Sequence, residues 1–228
     1  MLRVNELYTS TQGEGQRIGE LTQFVRFAGC DMRCPGWPCD TQHASDPAIW
    51  RTESEKFTSH QLAEQIIDEE VMNICYTGGE PFMQPNGDLQ DLTYMLLEEG
   101  CKFEAFSNGS FIYPDWALDL VHFTMDWKLE GSGEARSHRA ERMVNAQALK
   151  PTDDIKFVVK DTADLHEALS LTVVLQGQYN VQAGFLVGSA WDVIAEADIV
   201  EFIKENRPPW RLNVQTHKFI WPADERKV

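Results

Sequence analysis

Short apolar runs alternate with amphipathic stretches from residue 22 to residue 215, and this alternation restricts the fold more than any other feature of the chain. Residues 22–29, 71–76, 102–106, 123–127, 155–159, 185–188 and 211–215 have the apolar character of strands. Helical patterns lie between them. Thr58, with Gln61 three residues on, makes a capping box ahead of Leu62, Ile66 and Ile67 on one face. Leu89, Leu92, Leu96 and Leu97 repeat at helical spacing until Gly100 stops them. Leu165, Ala168, Leu169 and Thr172 form a third pattern, and Ile194, Ile199, Phe202 and Ile203 a fourth. Strands separated by helices pair in parallel through right-handed crossovers, so the fold class is α/β: a barrel, a partial barrel or an open doubly wound sheet. In each, ligands bind at the C-terminal ends of the strands.

The chain has 228 residues, enough for one sizeable core, and residues 1–228 are expected to form a single domain. Hydrophobic residues at 43% and charged residues at 25% lie near the globular average, which excludes disordered and fibrous classes. No apolar run approaches the ~20 residues that cross a bilayer, and the first residues lack the apolar segment of a secretion signal, so a cytoplasmic location is expected. Asp and Glu number 36 against 20 Lys and Arg, a formal net charge of -16 that repels phosphate backbones and anionic membranes. Neither nucleic acid nor a membrane is therefore an expected partner. An anionic substrate would need local cations, which makes single Arg and Lys residues near the chemistry informative.

Three of the 5 cysteines, Cys30, Cys34 and Cys39, fall within ten residues just past the strand at 22–29. An odd number of cysteines, so clustered, argues for a metal site over a disulfide framework. Three thiolates can bind three irons of a 4Fe-4S cluster and leave the fourth iron open to a small molecule. Alternatively, His43 joins them as the fourth ligand of a structural zinc site. Cys75 and Cys101 read as small core residues. The next strand ends in Gly78-Gly79-Glu80-Pro81, where two glycines let the backbone approach a ligand and Glu80 can accept from an amine. Alone, such a turn is equally an ordinary strand-to-helix connection.

A three-cysteine loop followed one crossover later by Gly-Gly-Glu-Pro resembles the radical S-adenosylmethionine superfamily. That resemblance implies a 4Fe-4S cluster on Cys30, Cys34 and Cys39, with S-adenosylmethionine chelated at the open iron. It places Gly78, Gly79 and Glu80 along the cofactor's amino group and Trp37 beside its adenine. The chain departs from the usual spacing, because four residues instead of two separate Cys34 from Cys39.

Within that superfamily, residues 6–15 (ELYTSTQGEG), 24–30 (FVRFAGC), 39–41 (CDT) and 214–218 (VQTHK) together resemble the 7-carboxy-7-deazaguanine synthases, across essentially the whole chain. The resemblance implies an incomplete (β/α) barrel of the radical S-adenosylmethionine type, usually a homodimer, that uses Mg2+ beside the cluster and a flavodoxin- or ferredoxin-type electron donor. It implies a carbon-nitrogen lyase: radical ring contraction of 6-carboxy-5,6,7,8-tetrahydropterin to 7-carboxy-7-deazaguanine with loss of ammonia, on the route to queuosine and other 7-deazapurines. Cluster and cofactor carry that chemistry, and no side chain is expected to be catalytic.

Substrate binding is implied for Gln12, Glu14, Gly15, Arg26 and His217. Arg26 would grip the carboxylate, while Gln12 and Glu14 meet the amino-pyrimidinone edge. His217, at the end of the last strand, faces the barrel mouth, and Lys218 alternates to the opposite face. Thr41 is implied as the magnesium ligand with Asp40 as a second partner. Residues 106–110 and 125–133 match in part: Ser107, Asn108 and Lys128 fall at the cofactor and Ser132 is kept, whereas Phe106 stands where the family has a glutamate. A glycyl-radical activase of the same superfamily would need none of Gln12, Glu14, Arg26 or the Gln-Thr-His-Lys segment. A zinc-stapled binding module without catalysis would need His43.

Overall fold

Nine strands pair into one open sheet in a computed structural model that describes residues 1–228. They are β1 (Leu2–Thr11), β2 (Leu21–Phe27), β3 (Glu55–Phe57), β4 (Asn73–Gly78), β5 (Lys102–Ser107), β6 (Val121–Trp127), β7 (Asp154–Val159), β8 (Gly184–Ser189) and β9 (Trp210–Leu212). The order across the sheet is β3-β1-β2-β4-β5-β6-β7-β8-β9. Pairing is parallel from β2 through β9 and antiparallel for β1 with β2 and with β3. The seven runs expected from periodicity are the parallel strands.

The helices are α1 (Gln42–Ser45), α2 (Pro47–Glu53), α3 (Ser59–Ile67), α4 (Asn86–Glu98), α5 (Asp115–Leu120), α6 (Arg139–Ala148), α7 (Thr162–Tyr179), α8 (Glu196–Asn206) and α9 (His217–Ile220). Four of them, α3, α4, α7 and α8, are the expected ones, and α3 starts with the full capping box of Thr58 and Gln61. Leu62, Ile66, Leu92, Leu96, Leu165 and Ile199 pack from these helices onto Phe27, Tyr76, Phe103, Phe123, Phe157 and Phe185 of the strands, within one core of 40 buried residues. Burying a side chain of this kind contributes roughly 1.5–3 kcal/mol, so the outer face of the sheet supplies most of the driving force.

The other face of the sheet is polar. The loop joining β1 to β2 folds across it: the Gly15 amide donates to Asn213 Oδ1 at 2.8 Å, and the Thr216 amide to the Gly13 carbonyl at 3.0 Å. Gln16 Nε2 reaches the Thr152 carbonyl at 2.8 Å and Asp154 at 2.9 Å. This loop therefore ties the first two strands to the last ones without strand pairing, and the barrel stays incomplete.

Three features correct the sequence reading. β1 was not expected as a strand, because only Leu2 and Val4 show apolar alternation before the inward positions turn polar. The last strand ends at Leu212, and His217 and Lys218 lie on the short helix α9 instead of a strand. α6 was also unexpected, since its buried positions include Arg142 and Asn145.

Candidate active site

At their C-terminal ends the parallel strands open into a cavity of about 820 Å³. Side chains at alternate positions face it, including Arg26 of β2, Thr77 of β4, Phe106 of β5, Asp126 of β6 and Lys156 of β7. Gln12, Gly13 and Glu14 of the first loop form part of its lining, and the segment after β9 and residues 223–228 complete it.

Cys30, Cys34 and Cys39 are all free thiols and all line this cavity. Burial pushes the Cys30 thiol up to about 12 and raises that of Cys34, while the Lys128 ammonium pulls both back in part. Iron would have to displace those protons on binding. His43 turns its Nε2 onto Glu6 at 3.2 Å, and no group of three or more His, Cys, Asp or Glu side chains converges on one point. His43 is thus engaged by Glu6 and not by the thiols, and three thiols facing an open cavity suit a cluster with one exposed iron.

The turn after β4 makes the adjoining wall from bare backbone. Gly78 has φ 125, and a Cβ there would sit 2.1 Å from the Phe27 carbonyl oxygen; at Gly79 it would sit 2.0 Å from that of Gly29. Only glycine fits either position. Glu80, expected beside the cofactor's amine, is 0% exposed and does not line the cavity. It accepts from the Phe82 amide at 3.0 Å, Ser107 Oγ at 2.9 Å and the Asn108 amide at 2.7 Å. Burial outweighs these donors and raises its carboxyl to about 7. Glu80 therefore fixes the end of β5, which presents Ser107 and Asn108 to the cavity, with Asn108 Nδ2 3.7 Å from Cys30 Sγ. Trp37 and Lys128 line the same region, Lys128 donating to Asp126 at 2.7 Å. Ser132 is buried, bonded to the Leu129 carbonyl, and away from the cavity.

Elsewhere in the cavity wall, Arg26 is anchored twice: Nε donates to Glu6 Oε2 at 2.7 Å and Nη2 to Tyr8 Oη at 3.0 Å. Its ion pair is buried and is not a surface bridge. Tyr8 also stacks on Phe24, ring centroids 5.0 Å apart, and both line the cavity. Glu14 accepts from Lys156 Nζ at 2.5 Å, Asn213 Nδ2 at 2.9 Å and Gln215 Nε2 at 3.0 Å. Burial favours its neutral form, but the Lys156 charge and these donors prevail and hold it at about 2. Gln12 is spent on the protein: its amide donates to the buried Glu104 and accepts from the Glu14 amide. Gly15 lies beneath the lining and not in it.

His217 packs its ring against Gly13 in the cavity wall, and burial lowers its pKa. Lys218 lines the cavity too, because consecutive helical residues do not alternate faces. Its ammonium sits 3.0 Å from Asp40 and 4.9 Å from the centre of the Trp191 ring. Thr41 donates to the Gly78 carbonyl at 3.3 Å. Cys101 is in the core as expected, while Cys75, though buried, forms part of the cavity wall. Sequence reasoning missed Glu6, Tyr8, Asp126, Lys156 and Asn213. Polar residues at inward positions of otherwise apolar strands were the signal that could have found them.

Known proteins match this arrangement along its whole length. Residues 11–146 match the family model described as a 4Fe-4S single cluster domain. The 7-carboxy-7-deazaguanine synthase of Clostridium acetobutylicum is 30% identical over 229 residues, covering 99% of each chain. That of Leptospira interrogans is 30% identical, covering 99% of this chain and 97% of its own. In fold, the chain resembles the crystal structure of QueE from Escherichia coli, with a TM-score of 0.71 and 22% identity over 94% of this chain and 93% of that one.

Proposed function

Because the chain belongs to the 7-carboxy-7-deazaguanine synthase family, we propose that its cavity contracts 6-carboxy-5,6,7,8-tetrahydropterin to 7-carboxy-7-deazaguanine with loss of ammonia. The observation that carries this reading is one cavity of about 820 Å³ lined both by the three thiols and by Arg26 and Glu14. The cluster and S-adenosylmethionine, when bound, supply one-electron reductive cleavage and the radical that removes a substrate hydrogen.

The chain's own residues position the reactants. Cys30, Cys34 and Cys39 hold the cluster. Gly78 and Gly79 offer backbone to the cofactor's amino acid part, Ser107 and Asn108 face its ribose, Trp37 its adenine, and Lys128 an acidic group. Arg26 keeps Nη1 without a protein partner, so the end of its guanidinium is available to the substrate carboxylate. Glu14, ionised, accepts from the N–H groups of the amino-pyrimidinone edge, Gln12 orients Glu14, and neutral His217 offers one ring nitrogen. Glu80 acts indirectly, through Ser107 and Asn108.

Magnesium belongs to the proposal as well. A hard cation takes oxygen donors and keeps several waters. Asp40 is engaged by Lys218 and by Gln215 at 3.3 Å, so the ion would rest chiefly on Thr41, the substrate carboxylate and water. A homodimer and a flavodoxin- or ferredoxin-type reductant complete the reading, and no helix is long and apolar enough to cross a membrane.

The test is anaerobic reconstitution with iron and sulfide, then reduction with S-adenosylmethionine, magnesium and the tetrahydropterin, with the product read by mass spectrometry. A brown protein that releases 7-carboxy-7-deazaguanine, and a colourless, inactive Cys34→Ala variant, are expected. A brown protein that cleaves the cofactor but leaves the pterin untouched would overturn the substrate; a colourless one that retains zinc would overturn the cluster.

A further inference from the structure

Glu6 belongs to the ELYTSTQGEG segment, yet no role in the proposed reaction uses it. Leu2 and Val4 point into the hydrophobic core with Phe27, so continued alternation would send Glu6 to the core as well. It does not go there. The ladder between β1 and β2 pairs Val4 with Phe27 but Glu6 with Arg26, a register shift of one residue around Asn5. Such a bulge flips every following side chain to the other face, and Glu6 lines the cavity.

There the carboxylate, 1% exposed, joins three segments far apart in the chain. Oε2 accepts from Arg26 Nε at 2.7 Å and faces His43 Nε2 at 3.2 Å, and Oε1 accepts from Arg226 Nε at 2.7 Å. Arg226 also meets Glu53 at 3.1 Å. A buried ion cluster adds little to stability compared with apolar packing, since desolvation offsets most of its attraction. Its consequence lies in orientation. Glu6 and Tyr8 occupy Nε and one Nη2 hydrogen of Arg26, which fixes the guanidinium plane and leaves its end free.

We propose that Glu6 is the positioning residue of the substrate site: the bulge at Asn5 places it opposite Arg26, where it aims that guanidinium at the substrate carboxylate and latches the tail segment through Arg226. This rests on the substrate reading above.

The experiment uses reconstituted enzyme with S-adenosylmethionine and no reductant, so that nothing turns over. Binding of 6-carboxypterin and of pterin, which lacks the carboxylate, is measured by their fluorescence. Wild type is expected to prefer 6-carboxypterin by about tenfold or more, the worth of one charge-assisted bidentate contact. Glu6→Gln should bring the two affinities within about twofold while pterin binding itself holds. Tyr8→Phe, which removes the second anchor and keeps the buried charges, should lower the preference by a smaller factor. Arg226→Gln should lower it less than Glu6→Gln while speeding amide exchange in residues 221–228. A folded Glu6→Gln enzyme with the wild-type preference would overturn the positioning role; should that variant not fold, an unchanged preference in Tyr8→Phe would do the same. Wild type that binds both pterins equally would instead overturn the substrate reading.

Discussion

Lys156 acts on Glu14 much as Glu6 acts on Arg26, because in each pair one buried charge fixes the ionisation and direction of another. Burial alone would favour a neutral Glu14; the ammonium at 2.5 Å keeps it ionised, with its pKa depressed to about 2. An ionised Glu14 can only accept, which suits the N–H edge of a pterin. In Lys156→Met the opposing charge is gone and desolvation dominates, so the pKa rises. Glu14 then gains a proton as pH falls, and kcat/KM should acquire an acid limb above the ordinary carboxylate range that wild type lacks. A pH profile of kcat/KM for the two enzymes checks this. Glu14 was legible in its motif, but Lys156 was not: on β7 it reads as one polar residue in an apolar strand, and only the cavity shows why it faces inward.

At the scale of elements, α6 is held by polar bonds where the other large helices are held by apolar ones. Asn145 accepts from the Tyr113 amide at 2.9 Å and donates to the Gly109 and Phe111 carbonyls at 3.1 and 2.8 Å. It thereby clamps the loop beyond Ser107 and Asn108, which line the cavity beside the Cys30 thiol. Asn145→Ala would leave two buried backbone groups and one half-buried one without partners, a cost of about 2–4 kcal/mol. Its urea midpoint should fall accordingly, with the slope of the transition unchanged. Helix periodicity is read from apolar spacing, and a helix whose buried face carries Arg142 and Asn145 has little such signal. The same reasoning explains β1, whose inward face turns from core to cavity at the bulge.

For the whole molecule, buried carboxyls shifted in opposite directions set how stability follows pH, burial raising Glu104 as it raises Glu80. Burial would raise Glu6, but the His43 hydrogen bond, the Arg26 charge and the Arg226 hydrogen bond outweigh it and hold it at about 2, and Glu14 is held there by Lys156. Depressed pKa values stabilise the fold above the unfolded value near 4.5, and this contribution, on the order of 3 kcal/mol for each group, is lost as pH falls toward 2. Glu80 has the opposite sign. Its pKa is raised to about 7, so its contribution is complete below 4.5 and is lost as pH rises through 7. Urea denaturation across this range should show greatest stability between the two windows, and Glu80→Gln should flatten the alkaline side alone. A wild-type curve that rises steadily from pH 5 to 9 would contradict this assignment.

The alternation of apolar runs and amphipathic stretches was enough to place seven parallel strands and four of the helices between them. The order of the cysteine loop, the Gly-Gly-Glu-Pro turn and the Gln-Thr-His-Lys segment was enough to identify the family. Both are properties of neighbouring residues, since periodicity and spacing act within a few positions of the chain. What tertiary structure alone decided is which polar groups meet. Glu6 and Arg226 lie 220 positions apart, and Glu14 and Gln215 lie 201 apart. A single extra residue in β1 turns Glu6 from core to cavity, a change that composition and local pattern do not register. Lys218 pairs with Asp40 because the chain leaves the sheet at Leu212 and coils into α9, so its side chain follows a helix instead of a strand. The sheet follows from local periodicity, while the charges inside the cavity follow from how distant segments close upon it.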